Sequence, residues 1–293
     1  MFKNATLFRL TSDINLDTLE EVLLTKTSRP QSNHEEVTYG WEPYDEETPD
    51  KLIKKINDVI FIALEVNKKL IPKSVVSNNA KKAIKEKELE LDRKLSKQEK
   101  TQIKDEILFE MLPKAFIEKS RIEAFIDTKN KLICINTPSQ NKAEDFVSFL
   151  RKTLSSLPLK LISTKETVPF ILRKLVTDKS AIPNNISLTG RFTAESNGKE
   201  KKASLKGFTD TDEVAEIIDN DGVIISASME LDQGVEFSIN ELIQIKGIKI
   251  IDENNDKDSY DFSENRIDEE CFLSHKLITN ISHEMITLLG GEK

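Results

Sequence analysis

With 293 residues and 38% hydrophobic content, the chain is long enough for one large domain or two ordinary ones and too rich in Ile, Leu, Val and Phe to be disordered. No apolar run approaches the roughly 20 residues of a transmembrane helix, and MFKNATLFRLTSD lacks the apolar core and small-residue cleavage site of a secretory signal. The net charge of −8 hides an asymmetry: between Lys68 and Lys104, 12 Lys or Arg stand against five Asp or Glu, a net of +7 that leaves −15 on the remainder.

Leu7 to Leu10 reads as a short strand, and Asp17-Thr18-Leu19-Glu20 has capping-box-like spacing that opens a helix over Leu19 to Leu24. Gly40-Trp41-Glu42-Pro43 reads as a turn or loop. Val59 to Leu64 is β-branched and almost wholly apolar, as a central buried strand should be, and Asn67-Lys68-Lys69 is expected to turn it. From Val75 to Leu112 there is no Gly or Pro, and Ser96-x-x-Glu99 is a capping box that splits the stretch into two helices near Leu95. Their apolar stripes are Ala80, Ile84, Leu91 and Leu95 on the first, and Ile103, Ile107, Leu108, Met111 and Leu112 on the second; Pro113 stops the pair. Inserted between strands, these helices read as a projecting arm.

Ile122 to Asp127 and Leu132 to Asn136 form a hairpin around Thr128-Lys129-Asn130-Lys131, and Lys142 to Leu154 is an amphipathic helix ended by Pro158. Leu159 to Ile162 is a strand and Val168 to Val176 a helix. A hairpin around Asn197-Gly198, a helix at Asp212 to Asp219, and strands near Val223 to Ala227, Val235 to Ile239 and Ile248 to Ile251 follow. A last helix runs from about Asp268 to Leu289, ended by Gly290-Gly291. The class is α+β with antiparallel sheets. The domain division is 1–73 with 122–163 as a central α+β domain, 74–121 as the inserted helical arm, and 164–293 as a C-terminal α+β domain.

Catalytic chemistry finds little in these residues. Cys134 and Cys271, far apart, make neither a disulfide framework nor a zinc site, which suits a reducing cytoplasm. His275 and His283 lie eight apart and His34 stands alone, so solvated or locally hydrogen-bonded roles outweigh metal binding. Asp252-x-Asn254-x-Asp256 opens like a calcium loop, but Lys257 and Ser263 occupy the positions where an EF-hand needs Gly and Glu. Asp210, Asp212 and Glu213 could form a nuclease cluster, yet they fall at the expected start of a helix, where acids cap free N–H groups. No phosphate loop or nucleophile elbow occurs. The expectation is a non-enzyme with no catalytic residue, metal or cofactor.

What remains is the basic pair of helices. Lys97, Lys100 and Lys104 fall at i, i+3 and i+7, on a flank opposite the apolar stripe, and Lys81, Lys85 and Arg93 make a less regular row on the first helix. No aromatic residue lies between Lys68 and Lys104, so base stacking has no platform and a lysine surface suits phosphates of a duplex.

Several short segments, in order, are similar to the RdgC family of recombination-associated proteins: Phe2-Lys3-Asn4, Arg9-Leu10, Gly40-Trp41, Leu70-Ile71-Pro72, Lys104-Asp105-Glu106, Leu112-Pro113-Lys114-Ala115-Phe116, Ile126-Asp127-Thr128, Lys142-Ala143-Glu144-Asp145, Leu150-Arg151-Lys152 and Ser156-Leu157-Pro158. After residue 165 the likeness thins to Asp221-Gly222-Val223-Ile224 and Leu289-Gly290-Gly291. The family's basic residues after its Gly-Val-Ile segment are missing, since Ile225 to Leu231 has none and includes Glu230. Asn130-Lys131 stands where the family favours Asn-Gly.

The resemblance implies an α+β subunit pairing into a ring-like homodimer that threads double-stranded DNA without sequence preference, single strands being the alternative. It also implies functional competition with RecA, no membrane, and a cytoplasmic, nucleoid-associated setting. The expected DNA contacts are Lys81, Lys85, Arg93, Lys97, Lys100, Lys104 and Lys114, with Phe116 a dimer contact, since it has little local core to join. Two other readings compete: a structural or assembly protein whose Lys/Glu arm makes protein contacts only, and a divergent metal-dependent nuclease.

Overall fold

The computed structural model describes residues 1–195, 202–205, 222–232, 234–251 and 266–293. The expected turn at Asn197-Gly198, the helix at 212–219, the Asp210, Asp212 and Glu213 cluster and the Asp252-Asn254-Asp256 turn lie outside them.

The described chain is α+β, as expected, with six α-helices and a large antiparallel sheet. Its strands are β1 (Asn4–Leu10), β2 (Val37–Glu42), β3 (Ile53–Ile56), β4 (Val59–Leu70), β5 (Phe116–Asp127), β6 (Leu132–Ile135), β7 (Leu159–Leu161), β8 (Ile186–Glu195), β9 (Lys202–Leu205), β10 (Val223–Leu231), β11 (Val235–Asn240) and β12 (Ile245–Ile250). The helices are α1 (Leu19–Leu24), α2 (Lys73–Glu90), α3 (Lys97–Met111), α4 (Gln140–Leu154), α5 (Val168–Thr177) and α6 (Arg266–Leu288). Among the described residues no helix is long and apolar enough to cross a membrane.

The sheet runs β2-β4-β5-β6-β1-β12-β11-β10-β8-β9, with β3 on β4 and β7 on β1. β1 joins the two halves. Its Thr6 to Arg9 pair with β6 on one edge, while its other edge is shared by β12 at Asn4 and Ala5 and by β7 at Phe8 to Leu10.

Strand alternation sends side chains to two apolar clusters. Phe61, Phe125 and Cys134 enter one, with α5, α6 and strands β8 and β10 to β12; Ile62, Ile126 and Ile133 enter the other, beneath α1 and α4. This half of the sheet is therefore covered on both faces, which is why Val59 to Leu64 of β4 and Leu132 to Ile135 of β6 read as continuous apolar runs.

Several expectations need correction. Gly40-Trp41-Glu42 is not a turn but the end of β2. A Cβ on Gly40 would lie 2.3 Å from Ser28 Cα, so only glycine lets residues 27 and 28 pass this strand. Trp41 is buried with its Nε1 donating to Thr153 Oγ1 at 3.1 Å. Asn67-Lys68-Lys69 does not turn the chain; β4 continues to Leu70, paired throughout with a β5 that begins at Phe116 rather than Ile122. Leu132 to Asn136 ends as a strand at Ile135, and Pro158 does not end α4, which stops at Leu154 with Ser155 left-handed at φ 62°. The third C-terminal strand begins at Ile245, not Ile248.

The first helix forms without its capping box: Thr18 makes no side-chain cap, and Glu20 Oε1 instead accepts from Leu52 N at 3.0 Å. The Ser96–Glu99 capping box does form. In the β5–β6 hairpin Lys131 takes φ 51°, the left-handed conformation glycine favours. Gly290 and Gly291 end α6 with φ 78° and 94°.

Candidate nucleic-acid interface

The helix pair α2–α3 is inserted between β4 and β5, the longest strand pair of the sheet. It has its own seam: Ala80, Leu95, Ile103 and Leu112 are buried, and none belongs to the two apolar clusters. Leu91 is exposed, so the expected stripe of the first helix is only partly used. Among the described residues one ring contact joins α3 to the rest, Phe109 stacking on His34 with centroids 4.0 Å apart and planes 8° apart.

At the turn between the helices, acids hold much of the basic charge. Glu88 accepts from Leu95 N at 3.0 Å and pairs with Lys94 at 3.1 Å and Lys100 at 3.0 Å. These bonds, the Leu95 backbone first, bring its carboxyl down to about 2. Glu99 takes both Arg93 nitrogens, at 3.1 and 2.6 Å, and is likewise lowered to about 2, chiefly by that guanidinium.

Of the basic residues expected to meet DNA, Arg93 and Lys100 are therefore engaged within the turn. Lys81, Lys85, Lys97, Lys104 and Lys114 are exposed and form no ion pair among the described residues. The flank assignment needs correction as well. Lys100 reaches across to Glu88, and Lys104 lines a groove with Val76 and Ser77 of α2, so both border the seam instead of facing away from it.

That groove, about 450 Å3, lies between the start of the helix pair and the β2–β4 pairing. Lys68, Lys69, Lys73 and Lys104 line it against a single acid, Glu36. Lys69 is only 8% exposed and anchored, its Nζ donating to the Ser32 carbonyl at 2.9 Å and to that of Asn33. Lys68, Lys69 and Lys73 are not among the expected contacts; Lys68 and Lys69 fall where the sequence reads as a turn, and the signal for them is that they close a strand shortly before a helix opens at Lys73.

Phe116 stands opposite Leu70 in the last register pair of β4 and β5. It is 85% exposed, and Leu70 and Ile117 beside it are exposed too. It does not fold back onto its own helix pair.

Elsewhere, His275 is partly buried and hydrogen-bonded: its Nε2 lies 2.6 Å from Asp127 Oδ2, which Asn130 also meets through its side chain. The two cysteines are free and buried; burial pushes both thiols up, Cys271 to about 11, so neither is poised as a nucleophile.

A family model described as "Putative exonuclease, RdgC" matches residues 1–292. The chain belongs to the RdgC family. Curated relatives named recombination-associated protein RdgC align along the full chain. The protein of Pseudomonas fluorescens (strain Pf0-1) is 29% identical over 303 residues, covering 100% of this chain and 98% of its own length. Those of Pseudomonas syringae pv. syringae and Salmonella paratyphi B are each 30% identical, covering 100% and 99% of this chain and 98% of their own. RdgC likeness thus reaches well past residue 165, where short motifs ceased to carry it.

Proposed function

We propose that this RdgC protein binds double-stranded DNA without sequence preference and restrains RecA-type recombination, as a ring-shaped homodimer in the cytoplasm with the nucleoid. The observation that carries the DNA reading is the set of exposed lysines that form no ion pair among the described residues, Lys81, Lys85, Lys97 and Lys104 on the inserted helix pair and Lys114 just after it, in a chain whose net charge is otherwise acidic. Lysines are point charges that follow phosphates without reading bases. The separate seam of α2 and α3 supports a projecting arm, and the bare Phe116 supports a subunit contact. The family's recombination-associated name supports the biological role.

Retention of duplex DNA across a salt series tests the reading. Each phosphate neutralised contributes about −0.9 to the slope of log affinity against log salt. Reversing Lys81, Lys85, Lys97 and Lys104 to Glu should flatten that slope by roughly three to four units per subunit on the same basis, equally for any sequence. Lys100 is left intact because its reversal would set a glutamate against Glu88. A folded variant that binds with unchanged affinity and slope would establish the protein-contact reading instead.

The family description as an exonuclease favours a second reading, a metal-dependent nuclease. Incubating plasmid and linear duplex with magnesium or manganese decides it: nicks or shortened ends that disappear with one point substitution would establish cleavage.

A further inference from the structure

We propose that the groove at the start of the helix pair is a docking seat for a partner protein's acidic segment carrying aliphatic side chains. Its charge is four lysines to one glutamate, which selects an acidic occupant. Its apolar lining is what separates it from a phosphate surface. Val37 comes from β2, Ile71 and Val76 from the entry to α2, and Leu108 and Leu112 from the exit of α3. A phosphate backbone offers nothing to five aliphatic side chains, whereas alternating carboxylates and aliphatic groups satisfy both halves of the lining. The concavity has the size of a pocket for side chains, and a duplex presents a convex rod to it. Lys69, held by two backbone carbonyls, keeps its charge in place without ordering cost on binding.

The test uses fluorescence anisotropy of the full chain with two fluorescein-labelled peptides, one alternating Glu and Leu and one alternating Glu and Ser. A labelled duplex oligonucleotide is measured in parallel. The Glu–Leu peptide should bind about tenfold or more tighter than the Glu–Ser peptide. Ile71→Ser with Val76→Ser should abolish that preference while duplex affinity stays within about twofold. Equal binding of the two peptides would overturn the proposal by reducing the groove to plain electrostatics. A matching loss of duplex affinity in the double variant would make the groove a DNA seat, and conversion of a dimer to a monomer by that variant would assign it to a second copy; either overturns the proposal. Should the double variant lose its cooperative melting, Lys73→Glu on the exposed first turn of α2 serves in its place. It should weaken the Glu–Leu peptide about tenfold, and unchanged peptide binding would sink the idea.

Discussion

Gly40 and Asp127 are two residues whose weight comes from what packs against them. At Gly40 any Cβ meets Ser28 backbone atoms at 2.3 and 2.5 Å, and backbone cannot step aside as a flexible side chain can. Gly40→Ala should therefore destabilise the protein by about 1–3 kcal/mol, read from denaturant midpoints. Asp127 is 1% exposed. Burial pushes its carboxyl up, but hydrogen bonds from the Asn130 backbone, the Asn130 side chain and His275 outweigh it and hold the group below the usual carboxylate range. A group lowered on folding adds stability above its unfolded value, and that stability is lost as pH falls through the folded one. Asp127→Asn sets an amide NH2 against one of these donors and should cost about 1–3 kcal/mol at neutral pH. Below about pH 4 the variant and the parent should converge, and a gap that persists unchanged in acid would contradict the assignment. Asn130 lies in the turn expected from sequence, but His275 was not legible as a partner from spacing, because it lies 148 positions from Asp127 and no local motif links them.

At the scale of elements, the helix pair was the clearest signal and the end of β4 the weakest. A capping box and an unbroken run of helix formers fix α2 and α3 locally. Asn67 to Leu70 and Phe116 to Lys119 carry polar groups on both faces, so two-residue alternation disappears and only their mutual pairing defines them as strand. β3, written Ile53-Lys54-Lys55-Ile56, escaped detection for the same reason. Within the turn of the helix pair, Glu88 ties Leu95 N, Lys94 and Lys100 together. Glu88→Gln should raise amide hydrogen exchange around Leu95 and the first turn of α3 while the sheet keeps its protection. The same local loosening should develop in the parent as pH drops from about 4 towards 2, the folded value of Glu88. Unchanged protection at Leu95 would show that the turn stands without this acid.

On the whole-molecule scale, the proposed ring makes Phe116 an anchor between subunits. Free protein at micromolar concentration should then have the mass of a dimer by light scattering, and its melting temperature should rise with concentration. Phe116→Ala should shift the mass towards monomer without lowering the melting temperature of the separated subunit, because an 85% exposed side chain contributes little to its own core. A dimer mass and concentration dependence unaffected by that change would remove Phe116 from the interface. The site was legible in part: the lysines were visible as an aromatic-free basic run, but which were already paired depended on Glu88 and Glu99 meeting them across a turn.

The strand that joins the two halves also fixes an order of events at the ribosome. β1 is made first, yet Asn4 and Ala5 wait for Lys246 and Ile245, an interval of roughly 10 to 50 seconds at ordinary synthesis rates. Its partners in β6 and β7 emerge far sooner, so the early half can assemble with α1 and α4 over one face. The opposite face, with Phe2, Phe61 and Phe125, is completed only when Cys271, Ile278 and Ile281 of α6 arrive. A nascent chain of this protein therefore carries an incompletely covered aromatic surface through most of its translation.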